Sequence, residues 1–364
     1  MSKIPAEPKS ILIVKLSSIG DVIHALPVAT ALRSRFPTAH ITWLVSRKAR
    51  EIVSEHPHLD QIIVVNGSGE NGEISVPGIE HPFLVARVLR KIGFDVAIDL
   101  QGLIRSSFFT LLSGAPARIG FRSLREAALV FYNVRTILPT RNQHVVDSYL
   151  RFAALLGAPV NPVEFHIATA PADEAAIDRL LETAGITPRD RLVALAPASS
   201  WKAKTWPPAR LGPVADHLIE RHGCQPIIVG AKGDLPRAQE IADNCRGKLI
   251  NFAGKTSLKE LTVLLRRCTA LVGNDSGPTH LAAAVGKPVV AIYGPTSTEL
   301  LAPYGNQHIT LTAAVPCRPC HRRSRAENCP HLRCINDITS EQVCAAVDSL
   351  FARFAEESHE NAVG

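Results

Sequence analysis

The chain has 364 residues, a net charge of +7 and eight cysteines, with 46% hydrophobic and 20% charged residues. This is the balance of an ordinary globular protein long enough for two domains, and it excludes a disordered or fibrous chain. No apolar run approaches the roughly 20 residues that cross a bilayer, Glu7 and Lys9 break any signal-peptide pattern, and 5% aromatic residues without a nucleic-acid-reading motif argue against RNA or DNA; a cytoplasmic protein is expected.

In chain order, the apolar run Ile11 to Leu16 predicts a strand buried on both faces. Ser17, Ser18 and Asp21 then precede Val22, Ala25, Leu26 and Ala29 at helical spacing. Asp21 therefore sits at the carboxyl end of a strand, where open α/β sheets bind ligands, unless it serves only as a helix cap. Further strands are expected at His40–Val45, Ile62–Val65 and Asp95–Leu100, the last ending at Asp99, Gln101 and Gly102. Helices are expected at Pro82–Ile92 and His144–Leu156, and residues 66–77 read as an exposed loop or edge. From Arg105 to Arg141 six arginines stand against one acid, Glu126, a zone suited to a phosphorylated or carboxylated partner or an anionic membrane surface.

The second half repeats the pattern. Strands are expected at Leu192–Ala196, Pro226–Val229, Leu249–Phe252, Ala270–Val272 and Val289–Tyr293. Helices are expected at Pro207–Arg221, Leu235–Asn244, Leu258–Arg266 and Pro278–Val285, and a closing one at Thr339–Glu357. A βα series without hairpin signals predicts parallel sheets in both halves, and two doubly wound domains are expected to face a central cleft. The expected division is an acceptor domain at 1–160, a nucleotide-sugar domain at 161–338, and a helix at 339–364 packing back on the first domain.

The strongest motif of the second half is Gly273-Asn-Asp-Ser-Gly-Pro-Thr-His280. Its strand end and the helix opening at Ser276-Gly277 offer free amides and a dipole for a phosphate. Asp275 is placed to hold sugar or ribose hydroxyls, with His280 along the same face; a capped helix with a buried histidine is the plainer alternative. After another strand, Ser199, Ser200, Lys202 and Lys204 offer hydroxyls and ammonium groups for phosphate oxygens, Lys202 being the one better read as a solvated loop lysine. No Gly-x-Gly-x-x-Gly follows Leu16 and no Walker sequence occurs, so dinucleotide oxidoreductases and P-loop NTPases lose their support.

Lys15-Leu-Ser-Ser-Ile-Gly-Asp-Val-Ile-His-Ala-Leu-Pro27, Asp99-Leu-Gln-Gly102 with Arg105-Ser106, the Ser199–Pro207 loop, Gly273–His280 and Tyr293-Gly-Pro-Thr296 together resemble, in order, the bacterial glycosyltransferase family 9 heptosyltransferases, especially type II-like members. The resemblance implies a GT-B fold and an inverting transfer from ADP-L-glycero-D-manno-heptose to a Kdo or heptose hydroxyl of the lipopolysaccharide inner core. It implies Asp21 as general base and Lys204, Ser199 and Ser200 at the donor phosphates. Asp275, Ser276, Gly277 and His280 would hold the rest of the donor, with Lys232 in the adenosine pocket where type I-like members carry an acid. Ser18, Gly20, His24, Arg47, Lys48, Gln101, Arg105, Arg118 and Arg122 are expected on the acceptor side. The enzyme would work peripherally at the inner face of the inner membrane with no cofactor required for transfer. Its rivals are a member using another nucleotide sugar or a protein acceptor, and a non-catalytic metal-stapled binding protein.

Cys317, Cys320, Cys329 and Cys334 follow the spacing Cys-x₂-Cys-x₈-Cys-x₄-Cys. Four thiolates so arranged suit a structural zinc or iron ion; reduced thiols are the alternative, and disulfides fit a cytoplasm poorly.

Overall fold

The computed structural model describes residues 4–67, 72–121, 130–135, 142–320 and 323–363. The chain divides into two compact units, Met1–Ala168 and Thr169–Gly364. The first contains β1 (Ser10–Val14), α1 (Ile19–Arg35), β2 (His40–Ser46), α2 (Arg50–Val53), β3 (Gln61–Val65), β4 (Ile74–Val76), α3 (Pro82–Ile92), β5 (Val96–Asp99), α4 (Ile104–Leu112), β6 (Ala117–Gly120), β7 (Val134–Arg135) and α5 (Val145–Leu155). Its strands form one sheet in the order β4-β3-β2-β1-β5-β6-β7, every described pairing parallel.

β1 lies at the centre because successive side chains face opposite layers and all those from Ile11 to Val14 are apolar. Leu12 and Val14 join Leu44, Ile63, Val85, Leu89 and Phe109 under α3 and α4, while Ile11 and Ile13 are buried on the other face. Each such side chain contributes about 1.5–3 kcal/mol on burial. A parallel strand so enclosed delivers its carboxyl end to the sheet edge where α1 begins.

The second unit contains α6 (Pro171–Thr183), β8 (Leu192–Ala196), α7 (Leu211–His222), β9 (Gln225–Ile228), α8 (Leu235–Asp243), β10 (Ile250–Asn251), α9 (Leu258–Arg267), β11 (Ala270–Asn274), α10 (Gly277–Ala284), β12 (Val289–Tyr293), α11 (Thr298–Leu301), β13 (Ile309–Thr312), α12 (Arg323–Glu327), α13 (Arg333–Asn336) and α14 (Ser340–Val363). The sheet order is β10-β9-β8-β11-β12-β13, again parallel throughout. Gly273 is required here, since a Cβ on it would stand 2.7 Å from the Ala196 Cβ of β8. The closing helix belongs to the second unit, where it packs on α7, β12 and β13. Its Val343, Val347, Leu350 and Phe351 enter the same core as Val214, Leu218 and Ile292.

Candidate active site

In the first unit, the exits of β1 and β5 are tied together. Gln101 Oε1 accepts from the backbone N–H groups of Leu16 (3.1 Å) and Ser17 (3.2 Å). Ser18 then caps α1 and Asp21 occupies its first turn. Asp21 Oδ2 accepts from both the Ser18 amide (3.1 Å) and the Ser18 hydroxyl (2.7 Å). The capping geometry anticipated as the plainer reading is therefore real, and it also fixes a half-buried carboxylate at the sheet edge.

Behind it lies a buried cation. The Lys15 ammonium donates to the Leu100 carbonyl (3.1 Å) and to the Tyr149 hydroxyl (2.7 Å). Burial would lower the Lys15 pKa, but Tyr149 and the charges of Asp21 and Asp99 hold it above its ordinary value, so the ammonium stays charged. Asp99 is fully buried and accepts from Gln101 N (2.8 Å), Gly102 N (3.1 Å), Ser106 Oγ (2.8 Å) and Tyr132 Oη (2.7 Å). Burial nonetheless raises its pKa against those four bonds. Lys15, Asp99, Tyr132 and Tyr149 had no assigned role in the sequence reading; only Lys15 and Asp99 lay inside recognised motifs.

The expected acceptor residues separate into groups. Ser18, Arg47, Lys48 and Arg105 are exposed and Gln101 is half-buried; all follow the ends of β1, β2 or β5. Gly20 is buried in the first turn of α1, and His24 is buried one turn further, its ring edge-on to His144 at 5.4 Å. Both therefore line the helix's packed side. Arg118 directs its guanidinium to the backbone carbonyls of Phe131 and Ala115, each at 2.9 Å, which makes it a brace for the 130–133 segment. Arg122 lies outside the described residues.

In the second unit, the polar groups converge on Asp275, buried where β11 gives way to α10. Its Oδ2 lies 2.7 Å from Lys204 Nζ and accepts from Thr296 Oγ1 at 2.7 Å, while Oδ1 faces His280 Nε2 at 3.2 Å. Burial would raise this carboxyl, but His280 and Lys204 hold it far below the usual carboxylate range. Asp275, expected to meet sugar hydroxyls, is thus engaged on both oxygens and acts as the internal counter-ion of Lys204. Ser199 donates to the Asp275 carbonyl (2.7 Å). Asn274 accepts from the Trp206 amide (3.0 Å) and donates to the Pro197 carbonyl (2.7 Å), locking the Ser199–Lys204 loop to β11. Ser276 and Gly277 are half-buried at the start of α10, and Ser200 and Lys232 are exposed in the turns after β8 and β9. Thr296 received no role from the sequence, though it follows β12 through a Gly-Pro turn at the same sheet edge.

The cysteine loop adjoins this site. Arg318 donates to the carbonyls of Gly294 and Thr296, each at 3.1 Å, and the Cys320 amide donates to that of Pro295 (2.7 Å). Trp201 lies between the Lys204 ammonium (4.7 Å to the ring centre) and the Arg323 guanidinium (5.0 Å). All four cysteines are free thiols. Burial, with Cys320, Cys317 and Cys329 nearby, pushes the Cys334 thiol up to about 11, so the four share one neighbourhood, although no three of the sulfurs stand within 4.8 Å of one another.

Comparison with known proteins places the chain in a family. The model of glycosyltransferase family 9 (heptosyltransferase) matches residues 83–331. The chain is 30% identical to the lipopolysaccharide core heptosyltransferase OpsX of Haemophilus influenzae over 303 residues, covering 82% of this chain and 83% of that protein. A family 9 glycosyltransferase structure from Veillonella parvula superposes with a TM-score of 0.78 at 26% identity, covering 96% of this chain and 98% of that one. The E. coli ADP-heptose lipopolysaccharide heptosyltransferase II structure gives a TM-score of 0.74 at 22% identity over 95% of this chain and 99% of that one, a likeness of fold. The expected GT-B class, two α/β units each on a parallel sheet, is the one found.

Proposed function

Because this chain belongs to glycosyltransferase family 9 and is a glycosyltransferase, we propose that it moves a heptose from ADP-L-glycero-D-manno-heptose to a Kdo or heptose hydroxyl of the lipopolysaccharide inner core. The observation that carries this reading is the Lys204–Asp275 pair set at the start of α10. It offers a fixed cation and free amides to a departing diphosphate, the group whose charge grows in the transition state.

In the proposed reaction the acceptor oxygen bonds to the anomeric carbon as the bond from that carbon to the diphosphate oxygen breaks. The configuration inverts, ADP leaves with the electron pair, and the hydroxyl proton passes to Asp21. Lys204 and the amides at Ser276 and Gly277 take up the charge on ADP, with Ser199 and Ser200 alongside and Lys232 toward the base. Asp275 and His280 act behind Lys204 by keeping it in place. On the acceptor side, Arg47, Lys48 and Arg105 are available to carboxylates and phosphates of the core, and Ser18 and Gln101 to its hydroxyls.

Peripheral contact with the cytoplasmic face of the inner membrane is part of the proposal. Phe83 is 89% exposed in the first turn of α3, with Leu84 beside it and Ile104 exposed next to Arg105, a pairing of apolar and basic groups suited to an anionic lipid surface. No described helix is long and apolar enough to cross a membrane. Cys317, Cys320, Cys329 and Cys334 would hold a structural zinc or iron; as a set of four thiols they suit such an ion, which would fix the loop that braces Gly294–Thr296.

The test is nucleotide release. ADP-heptose offered with Kdo-lipid A or its heptosylated form should give ADP, and UDP-sugars should not; release from UDP-sugars alone would transfer the assignment to another donor.

A further inference from the structure

At the amino edge of the second sheet, opposite the edge that holds Lys204 and Asp275, α7 ends at His222 and leads into β9. His217 and His222 both aim Nε2 at a single oxygen, Oδ1 of Asp348 on α14, at 2.8 and 2.7 Å. Their rings meet edge to face with centroids 5.5 Å apart. His222 also lies against Phe351, 4.6 Å between ring centres, and the Arg191 guanidinium covers that phenyl ring at 5.1 Å. Packing therefore fixes the ring and the helix that carries its partner.

Among the described residues this is the only set of three His, Cys, Asp or Glu side chains whose ligand atoms all lie within 4.8 Å of one another. All three are partly buried, so they are held in place yet reachable from solvent. Burial alone would raise the Asp348 carboxyl, but the two imidazoles hold it below its ordinary value, which keeps it ionised and able to ligate. Arg221 is the competing cation, with Nε 3.2 Å from the same oxygen. Its side chain is 65% exposed and can turn into water.

We propose that His217, His222 and Asp348 form a binding site for a first-row divalent ion of the zinc type, which pins α14 to α7. Two imidazoles and a carboxylate are a common zinc set, with water in the fourth position, and bonds of about 2.0–2.2 Å would need the three ligand atoms to part only slightly. Each imidazole gives up its Nε2 proton, or carries it on Nδ1, so that the Nε2 lone pair faces the ion. The set lies away from the donor-site residues and takes no part in the transfer.

The test uses the full-length protein, stripped with a chelator and then loaded with zinc, with zinc per chain measured for wild type, Asp348→Asn and His222→Gln. The cysteines are untouched in all three, so any zinc they hold cancels in the comparison. Wild type should retain one more zinc per chain than either variant, and zinc should raise its melting temperature more. A second readout needs no variant: in ¹⁵N-histidine spectra of wild type, zinc should shift Nε2 of two of the fourteen histidines. Equal zinc content in wild type and folded variants, or no paired histidine response, would overturn the site.

Discussion

The ammonium of Lys204 lies 2.7 Å from Oδ2 of Asp275, with the two side chains 12% and 4% exposed. A pair so withdrawn from water is strongly interdependent, because removing one partner leaves the other charge buried. Lys204→Met should therefore cost about 3–5 kcal/mol of stability as well as donor binding. The double variant Lys204→Met/Asp275→Asn should regain much of the stability and none of the binding. Denaturant unfolding of the three proteins checks this, and an unchanged midpoint for Lys204→Met would contradict it.

Asp99 gathers four donors from three segments. Asp99→Ala leaves the Ser106 and Tyr132 hydroxyls and two amides without their acceptor, at about 1–3 kcal/mol for each group that stays buried and unpaired. A loss of at least about 3 kcal/mol is expected, with Asp99→Asn milder because its amide oxygen still accepts. Because Gln101 fastens the start of the Asp21 turn, Asp99→Ala should also lower turnover. Thermal or chemical unfolding alongside ADP-release rates measures both.

Acid should weaken the first unit before the carboxylates titrate. Burial, with His58 and His166 adding to it, pushes the His56 imidazole down to about 3, below its unfolded value of about 6.5. Above that value both states are neutral. As pH falls from about 6.5 toward 3 the unfolded chain binds a proton that the folded chain refuses, so stability drops by up to about 1.4 kcal/mol per unit. His56→Gln should flatten the stability profile between pH 6.5 and 5; parallel profiles for the two proteins would contradict it.

The cysteine loop should carry metal. Elemental analysis of protein purified without chelator is expected to find zinc or iron, and Cys320→Ser should lower that content while weakening the brace on Thr296. Four titratable thiols with no stoichiometric metal in the same preparation would show that the loop holds no ion.

How much of this was legible depends on how local the signal was. The strand-to-helix units at Ile11–Ala29 and Ala270–Ala284 could be read because an unbroken apolar run, a small-residue turn and helical spacing follow one another directly. β6 and β7 were missed because they are short and sit among arginines; β6 itself contains Arg118. α6 (Pro171–Thr183) was missed because its apolar face reduces largely to Ile177 and Leu181. The site residues were found as types, but their pairings were not. That Lys204 meets Asp275, or that Thr296 donates to the same carboxylate, depends on strand order, which no local spacing encodes. Arg118 and His24 show the same from the other side: both were read by residue type, while the contacts of Arg118 with two backbone carbonyls and of His24 with the His144 ring arise only in the fold.

Asp21 is the proposed recipient of the acceptor proton, and Asp21→Asn isolates that step. The amide oxygen can still accept from Ser18, so the α1 cap, worth about 1 kcal/mol, should survive and unfolding should change little. With ADP-heptose and the core acceptor, turnover is predicted to fall by about 10²–10⁴-fold while ADP-heptose binding stays near wild type. Turnover within a few-fold of wild type in a folded Asp21→Asn protein would contradict the assignment and return Asp21 to the role of a helix cap.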